Sequence, residues 1–162
     1  MKLSMAKLVV IGAGGHCRPV VEAAQLAGHE VLSIIDPSFT GQEEEILGVK
    51  VAGLEALETY DCAIHVSMGV NADRKEYSER FEDRLMTIIH PSAEISDTAT
   101  IGKGSFIASN CTITTFAQIG KSCIINTAAV VDHETTIGNY SHIASGSVLA
   151  GRIKVGELTF VG

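Results

Sequence analysis

The sequence predicts a protein in which an α/β Rossmann-like domain precedes a left-handed parallel β-helix of hexapeptide repeats. Three observations lead to this fold class. An aliphatic residue returns every six positions from Ile89 to Val161, and a glycine follows that residue every 18 positions. Before this stretch, segments typical of strands and helices alternate around a glycine-rich turn. We place the boundary near residue 86, which gives domains 1–86 and 87–162.

The N-terminal elements follow from short apolar runs. KLVVI at residues 7–11 is typical of a buried parallel strand, and residues 17–28 carry apolar residues at near-helical spacing up to a glycine. A second strand, EVLSII, ends directly before Asp36. Shorter elements follow at GVKVAG, at 54–57 and at CAIHVSM, and then a charged helix over 71–84. Strands that alternate with helices predict a parallel sheet.

The turn after the first strand holds Gly12, Gly14 and Gly15, but Cys17 stands where a dinucleotide fingerprint needs its third glycine. Its backbone N–H groups can still bind a phosphate or carboxylate at the helix N-terminus. We therefore expect a nucleotide-linked or other small anionic substrate here, with Asp36 facing the same crevice and pairing with an amine or hydroxyl. A dinucleotide cofactor, and a tight turn without any ligand, are the alternatives.

The second domain follows from its period. A repeat of six fits neither a helix, at 3.6 residues per turn, nor a strand, at two, but it fits short strands joined by turns. The glycines 18 residues apart indicate three faces per coil. We expect the aliphatic column to point inward and the small residues two positions earlier to let the turns close. The aliphatic column consists of Ile89, Ile95, Ile101, Ile107, Ile113, Ile119, Ile125, Val131, Ile137, Ile143, Leu149, Val155 and Val161.

Composition excludes several classes of partner. The chain has 162 residues, a net charge of -7 and 46% hydrophobic residues, which argues against binding to nucleic acid or to an anionic membrane surface. No apolar run is long enough to span a membrane, and the start lacks the features of a signal peptide. The four cysteines form no CxxC pair, so we expect buried free thiols in a reducing cytoplasm.

One group of ionisable residues stands out in the coils. Asp132, His133 and Glu134 follow one another on a single turn, and because a solenoid core cannot hold them, we expect them on an outer corner. A histidine beside a carboxylate is a general-base arrangement, since the carboxylate fixes the tautomer of the imidazole. A surface histidine without a role is the alternative. No second and third histidine have the spacing of a zinc site, so we expect no metal.

Three motifs together resemble one known family. The GAGGH turn, the IHPSAEIS segment before the coils and the NTxAxVDHE motif at 126–134 are similar to sugar O-acyltransferases of the NeuD and PglD type, which include sialic acid O-acetyltransferases and nucleotide-sugar N-acetyltransferases. The resemblance covers the whole chain. It implies transfer of an acetyl group from acetyl-CoA to a sugar amine or hydroxyl, in a homotrimer with sites between neighbouring β-helices.

The resemblance also implies residue roles. His133 would be the base and Glu134 its orienting partner, and the acetyl-CoA site would include Asn126, His142 and the backbone N–H of Gly151. Substrate-binding residues would be Gly14, His16 and Asp36, beside Gly12 and Gly15 of the same turn. We expect direct attack by the sugar amine rather than a covalent enzyme intermediate.

The resemblance is incomplete at the C-terminus. The sequence stops in mid-repeat at LTFVG, without a polar last coil or a capping helix, and terminal repeats need such a cap. We therefore expect a truncated β-helix that binds acetyl-CoA weakly or gains compensation from an oligomer. The leading function is N-acetylation of a nucleotide-linked amino sugar. O-acetylation of sialic acid or another sugar, and a non-catalytic binding or scaffold role, remain the alternatives.

Overall fold

The computed structural model describes residues 5–162 and begins with a five-stranded sheet. The strand order is β3-β4-β2-β1-β5, and every pairing is parallel except that of β3 with β4 at one edge. The predicted parallel sheet is therefore confirmed, with an antiparallel edge strand added. Its elements are β1 (Lys7–Ile11), α1 (Cys17–Leu26), β2 (Glu30–Ile35), β3 (Glu45–Ile46), β4 (Val49–Ala52), β5 (Ala63–Val66) and α2 (Asn71–Arg80), with 3₁₀ turns at Leu54–Thr59 and Glu82–Arg84.

The central strand β1 explains the order of the sheet. Leu8, Val9, Val10 and Ile11 are all fully buried, because one face of the sheet packs on α1 and the coils while the other packs on the 3₁₀ turn at Leu54–Thr59. A strand covered on both faces has no position for a polar residue, hence the continuous apolar run. The carboxyl ends of β1, β2 and β5 consequently meet at one edge of the sheet.

The rest of the chain winds through thirteen two-residue strands. Each strand pairs in parallel with the strand 18 residues later, so that three flat faces stack coil upon coil, as a left-handed parallel β-helix requires. The strands are β6 (Ile88–Ile89), β7 (Glu94–Ile95), β8 (Thr100–Ile101), β9 (Phe106–Ile107), β10 (Thr112–Ile113), β11 (Gln118–Ile119), β12 (Ile124–Ile125), β13 (Val130–Val131), β14 (Thr136–Ile137), β15 (His142–Ile143), β16 (Val148–Leu149), β17 (Lys154–Val155) and β18 (Phe160–Val161).

We call the sheet of β6, β9, β12, β15 and β18 the first face, that of β7, β10, β13 and β16 the second face, and that of β8, β11, β14 and β17 the third face. The predicted inward column is confirmed: its members are buried from Ile107 to Leu149 and partly exposed in the end coils. Small residues such as Ser105 and Ser141 close the turns, as expected. Their hydroxyls donate to carbonyl oxygens of the next coil, for example Gly120 at 2.9 Å and Gly156 at 2.7 Å.

The first face carries the N-terminal domain. Its outward-pointing residues Ile88, Phe106 and Ile124 are at most 1% exposed, and the rings of His16 and His65 pack edge-on against Phe106 at 5.3 Å and 6.2 Å. The α/β domain therefore lies directly on the outer surface of the β-helix. The described part of the chain contains no helix long and apolar enough to cross a membrane.

The cysteine prediction is only partly correct. All four cysteines are free thiols, and Cys17, Cys111 and Cys123 are buried, but Cys62 is partly exposed. It directly precedes β5, at the edge of the sheet. Burial, above all other causes, raises the pKa of each of the three buried thiols to about 11. These thiols are protonated at neutral pH and are poor nucleophiles.

Candidate functional site

The turn that holds His133 lies on the corner between the second and third faces, after β13 and before β14. The Nδ1 atom of His133 is 3.1 Å from Oε2 of Glu134. Because an ionised carboxylate only accepts hydrogen bonds, the ring proton lies on Nδ1 and the lone pair on Nε2 is available. The His133 side chain is 46% exposed, so a ligand can reach Nε2. This is the geometry of a general base with its orienting carboxylate.

Asp132 has a different task in the same turn. Its Oδ1 accepts from the His133 backbone N–H at 2.7 Å and from the Thr114 hydroxyl at 3.0 Å. These two bonds, that of the His133 N–H first, hold the pKa of Asp132 below its usual value. The carboxylate therefore fixes the backbone of the turn and does not touch the imidazole.

Gly151 lies directly beside the His133 ring, one coil later. A Cβ atom at residue 151 would collide with Nε2 and would come within 2.5 Å of Cε1 and 2.7 Å of Cδ2. Only glycine at position 151 leaves room for the His133 ring. At corresponding turns the backbone N–H groups of Thr127 and His133 are bound by the preceding Asn126 and Asp132, whereas Gly151 follows Ala150, whose side chain accepts no hydrogen bond. The Gly151 N–H accordingly makes no hydrogen bond within residues 5–162.

Asn126 and His142 form a second pair, at the corner between the first and second faces. The Asn126 amide donates to His142 Nε2 at 3.1 Å, which puts the ring proton of His142 on Nδ1. That Nδ1 is buried and has no partner among residues 5–162. The pKa of His142 is lowered, chiefly by burial. Its ring lies 6.2 Å from the His16 ring, so this pair adjoins the N-terminal domain.

A cavity of about 580 Å³ opens at the carboxyl ends of β1, β2 and β5. In open parallel sheets ligands bind at this edge, and the volume is within the range of small-molecule sites. The five residues that we expected to bind substrate all line it, namely Gly12, Gly14, Gly15, His16 and Asp36. Sequence reasoning missed the lining from β5 and α2, which comprises Ser67, Met68, Gly69, Val70, Asp73, Glu76 and Tyr77. Residues 67–70 could have been predicted, because they directly follow the carboxyl end of β5 at Val66.

Asp36 is already engaged within the protein. Its Oδ2 accepts from the Ala13 N–H at 2.6 Å, and its Oδ1 accepts from the Ser38 N–H and hydroxyl at 2.8 Å and 2.5 Å. Burial by itself would raise the pKa of Asp36, but these hydrogen bonds outweigh it and lower the pKa. Asp36 therefore holds the glycine turn against the loop after β2, and it lines the cavity as a fixed negative charge.

His16 joins the cavity to the β-helix. It occupies the N-cap position of α1 without a side-chain capping bond, and its Nε2 is buried with no hydrogen-bond partner in the described chain. Burial first, and then the neighbouring His65, His142 and Arg74, lower the pKa of His16 to about 3. The ring is neutral at physiological pH and can exchange a hydrogen bond with a ligand in the cavity.

The predicted site residues thus fall into two groups. The cavity, His16, His142 and Asn126 are contiguous, whereas His133, Glu134 and Gly151 occupy another corner of the coil, with the second face between them. No group of three or more His, Cys, Asp or Glu residues within 5–162 is arranged to hold a metal ion.

Comparison with known proteins supplies the family. Residues 7–81 match the model of the PglD N-terminal domain. The chain is 33% identical over 111 residues to UDP-N-acetylbacillosamine N-acetyltransferase of Bacillus subtilis (strain 168), which covers 64% of this chain and 51% of that protein. The chain therefore spans about half the length of this curated relative.

Two solved structures are similar over almost the whole chain. The perosamine N-acetyltransferase from Caulobacter crescentus, solved as a variant in complex with CoA and GDP-perosamine, has a TM-score of 0.77 and 29% identity, covering 98% of this chain and 86% of that one. The acetyltransferase domain of PglB from Neisseria gonorrhoeae FA1090 has a TM-score of 0.84 and 31% identity, covering 96% of this chain and 78% of that one. The chain belongs to the PglD-like family of hexapeptide-repeat proteins.

Proposed function

We propose that the protein transfers an acetyl group from acetyl-CoA to the amine of a nucleotide-linked amino sugar. The observation that carries the proposal is the His133 ring, held by Glu134 at Nδ1 and lying with Nε2 in the space that a Cβ of residue 151 would fill. A base and an oxyanion donor, here on two adjacent coils, are what acyl transfer from a thioester requires.

The residues would act in a fixed order. His133 Nε2 takes the proton of the sugar amine as its nitrogen attacks the thioester carbonyl, and the Gly151 N–H stabilises the negative charge on the oxygen. The new N–C bond then forms the amide while the C–S bond breaks, and the imidazolium returns its proton to the departing thiolate. A positioned base contributes about 10² to 10⁴ in rate. The protonated, buried state of Cys17, Cys111 and Cys123 supports direct attack without an acyl-cysteine.

The two groups of site residues support a site shared between copies. The cavity and His133 lie at different corners of one chain, so a substrate that reaches both would lie between the cavity of one copy and the His133 corner of another. Phe116, on the His133 corner, is 61% exposed, and Val148, on the second face, is 71% exposed. A neighbouring copy would bury both. We therefore propose a homotrimer, the arrangement that the family resemblance implies.

The substrate class rests on the cavity and on the relatives. A cavity of about 580 Å³ at the strand ends suits the nucleotide part of a nucleotide sugar, and the Caulobacter relative was solved with GDP-perosamine and CoA. We further propose that residues 1–86 form the substrate domain and 87–162 the acyl-transfer domain. A cytoplasmic location is also proposed, in keeping with four free thiols.

Release of the CoA thiol tests the function directly. The protein is incubated with acetyl-CoA and a panel of UDP- and GDP-linked amino sugars, with hydroxyl-bearing sialic acid as a separate arm. We expect release with an amino sugar, and a loss of at least about 10²-fold in kcat for His133→Asn. His90→Asn, at a turn histidine outside the proposed site, is the control. Unchanged turnover in His133→Asn, or no release with any amino sugar, would overturn the proposal.

A further inference from the structure

Arg152 lies directly over Glu134 on the next coil. The two residues are 18 positions apart, both adopt a left-handed backbone conformation (φ of 62° and 58°), and the Arg152 N–H donates to the His133 carbonyl oxygen at 2.8 Å. In the coils before, Thr98 and Phe116 fill the same turn position. Stacking of the coils therefore brings a cation onto the one residue that orients His133.

The contact is made to the oxygen that binds the imidazole. Arg152 Nε donates to Glu134 Oε2 at 2.9 Å, and the same Oε2 lies 3.1 Å from His133 Nδ1. The pKa of Glu134 is lowered, first by the hydrogen bond from Arg152 and then by that from His133. One oxygen of the Glu134 carboxylate thus accepts from two donors. The positive charge of the guanidinium partly neutralises the carboxylate and so weakens its attraction for a proton on the imidazole.

We infer that Arg152 is a positioning residue, which through Glu134 fixes the His133 ring and offsets the negative charge beside it. The inference rests on the proposed function, in which only the neutral ring can accept the proton of the amine. Within residues 5–162, the charged groups that face His133 are Asp132 and Glu134 on its own turn and Arg152 on the next coil. Thr114, Thr115 and Phe116 of the preceding coil do not titrate. Removing Arg152 leaves two carboxylates with no compensating cation, which favours the imidazolium.

The test compares Arg152→Met with Arg152→Lys. The titration midpoint of the His133 ring is measured by NMR of histidine-labelled full-length protein without substrate, and the pH profile of kcat/KM is measured in parallel. Because the Arg152 side chain is 74% exposed, we expect Arg152→Met to move the midpoint and the acid limb of the profile up by roughly 0.2 to 0.7 pH unit at low salt. The shift shrinks at high salt, and Arg152→Lys, which keeps the charge, moves both by less than half as much.

Lys154→Met is the matched control, since it removes a nearby exposed cation that makes no contact with Glu134 within the described residues. Equal midpoints for Arg152→Met and the wild type, or an equal shift in Lys154→Met, would overturn the inference. The NMR midpoint is read without turnover. A wild type that transfers no acetyl group would therefore refute the proposed function, while the measured midpoints would still decide the role of Arg152.

Discussion

At the scale of single residues, the candidate site depends on the absence of a side chain at Gly151. The His133 ring occupies the space that a Cβ of residue 151 would fill. The backbone of Gly151 has no left-handed conformation to explain its glycine, so the reason lies in the neighbouring ring. In the proposed reaction, this close approach would bring the base and the backbone N–H of Gly151 to the same thioester.

Gly151→Ala tests this close approach. The added methyl group forces the ring away from its position, and we expect kcat/KM to fall by about 10²-fold, because small displacements of a catalytic group have effects of that size. The melting temperature stays within about 2 °C, since the half-exposed ring swings outward at little cost. Gly156→Ala is the control, because a Cβ there meets only the Thr159 hydroxyl, at 3.6 Å. An active Gly151→Ala variant would contradict the proposed role of His133.

The sequence identified these residues but not their hydrogen bonds. The 18-residue period puts Gly151 over His133, and the strand pattern puts Asp36 beside the glycine turn. Asp36 accepts from the Ala13 N–H, and Arg152 donates to the same Glu134 oxygen as His133. Both contacts depend on side-chain rotamers and turn geometry. A period or a propensity contains no information on either.

At the scale of elements, the glycines of the 18-residue series have a steric explanation. They stand on the corner between the third and first faces. A Cβ at Gly102 would lie 2.6 Å from the Gly120 carbonyl carbon, and one at Gly138 would lie 2.5 Å from the Glu157 nitrogen. These neighbours are backbone atoms and cannot move aside. The second period in the sequence therefore marks a corner where backbone of the next coil leaves no room for a Cβ.

Gly138→Ala is expected to destabilise the β-helix. Overpacking against backbone costs about 1 to 3 kcal/mol, which corresponds to a fall of roughly 3 to 10 °C in the melting temperature for a chain of this size. Gly156→Ala, on the same corner but with room for a Cβ, leaves the melting temperature within about 2 °C. Differential scanning calorimetry of both variants provides the comparison. Equal melting temperatures would show that the coils can separate at this corner.

The choice of the face that carries the N-terminal domain was missed, although the sequence contains a signal for it. Outward positions of the first face hold Ile88, Phe106 and Ile124, whereas those of the third face hold polar residues such as Thr100 and Gln118. An apolar outer column needs a cover. The inward column alone establishes the coil, and its period does not depend on which face is covered.

At the scale of the whole molecule, one buried cation joins the two parts of the chain. Arg74 of α2 is 1% exposed, and its guanidinium donates to the carbonyl oxygens of Met68, Gly69, Ser122, Tyr140 and Ser141. Burial, as the largest cause, lowers its pKa to about 10, so it stays charged at neutral pH. Its position in a helix of mostly charged residues predicts an exposed side chain. The burial of Arg74 follows only from the packing of α2 on the coils.

Arg74→Met is expected to weaken the docking of the N-terminal domain on the coils. The substitution leaves buried carbonyl oxygens such as those of Ser122 and Tyr140 without a donor, and each unsatisfied group costs about 1 to 3 kcal/mol. We expect a loss of roughly 3 to 5 kcal/mol in the free energy of unfolding, measured by urea denaturation. Arg80→Met, at an exposed arginine of the same helix, serves as the control. A loss below about 1 kcal/mol would refute the role of Arg74 as the link.

The same junction makes the stability of the molecule depend on pH. His65 is 1% exposed, donates from Nδ1 to the Met86 carbonyl oxygen at 2.9 Å and has its pKa lowered to about 4, mainly by burial. In the unfolded chain a histidine titrates near 6.5. Between these values the unfolded state binds a proton that the folded state does not, so stability is complete above pH 6.5 and falls as the pH decreases towards 4.

His65→Asn isolates this contribution, because asparagine keeps an N–H donor for Met86 and has no proton to gain. Each pH unit inside the window costs the wild type about 1.4 kcal/mol through this group. We therefore expect the stability lost between pH 7.5 and pH 4.5 to be smaller in the variant by roughly 2.5 kcal/mol, measured by urea unfolding at both values. His16, whose pKa is lowered to about 3, continues to destabilise both proteins in acid. Parallel curves of unfolding free energy against pH for variant and wild type would contradict this prediction. They would mean that His65 is protonated in the folded protein as readily as in the unfolded chain.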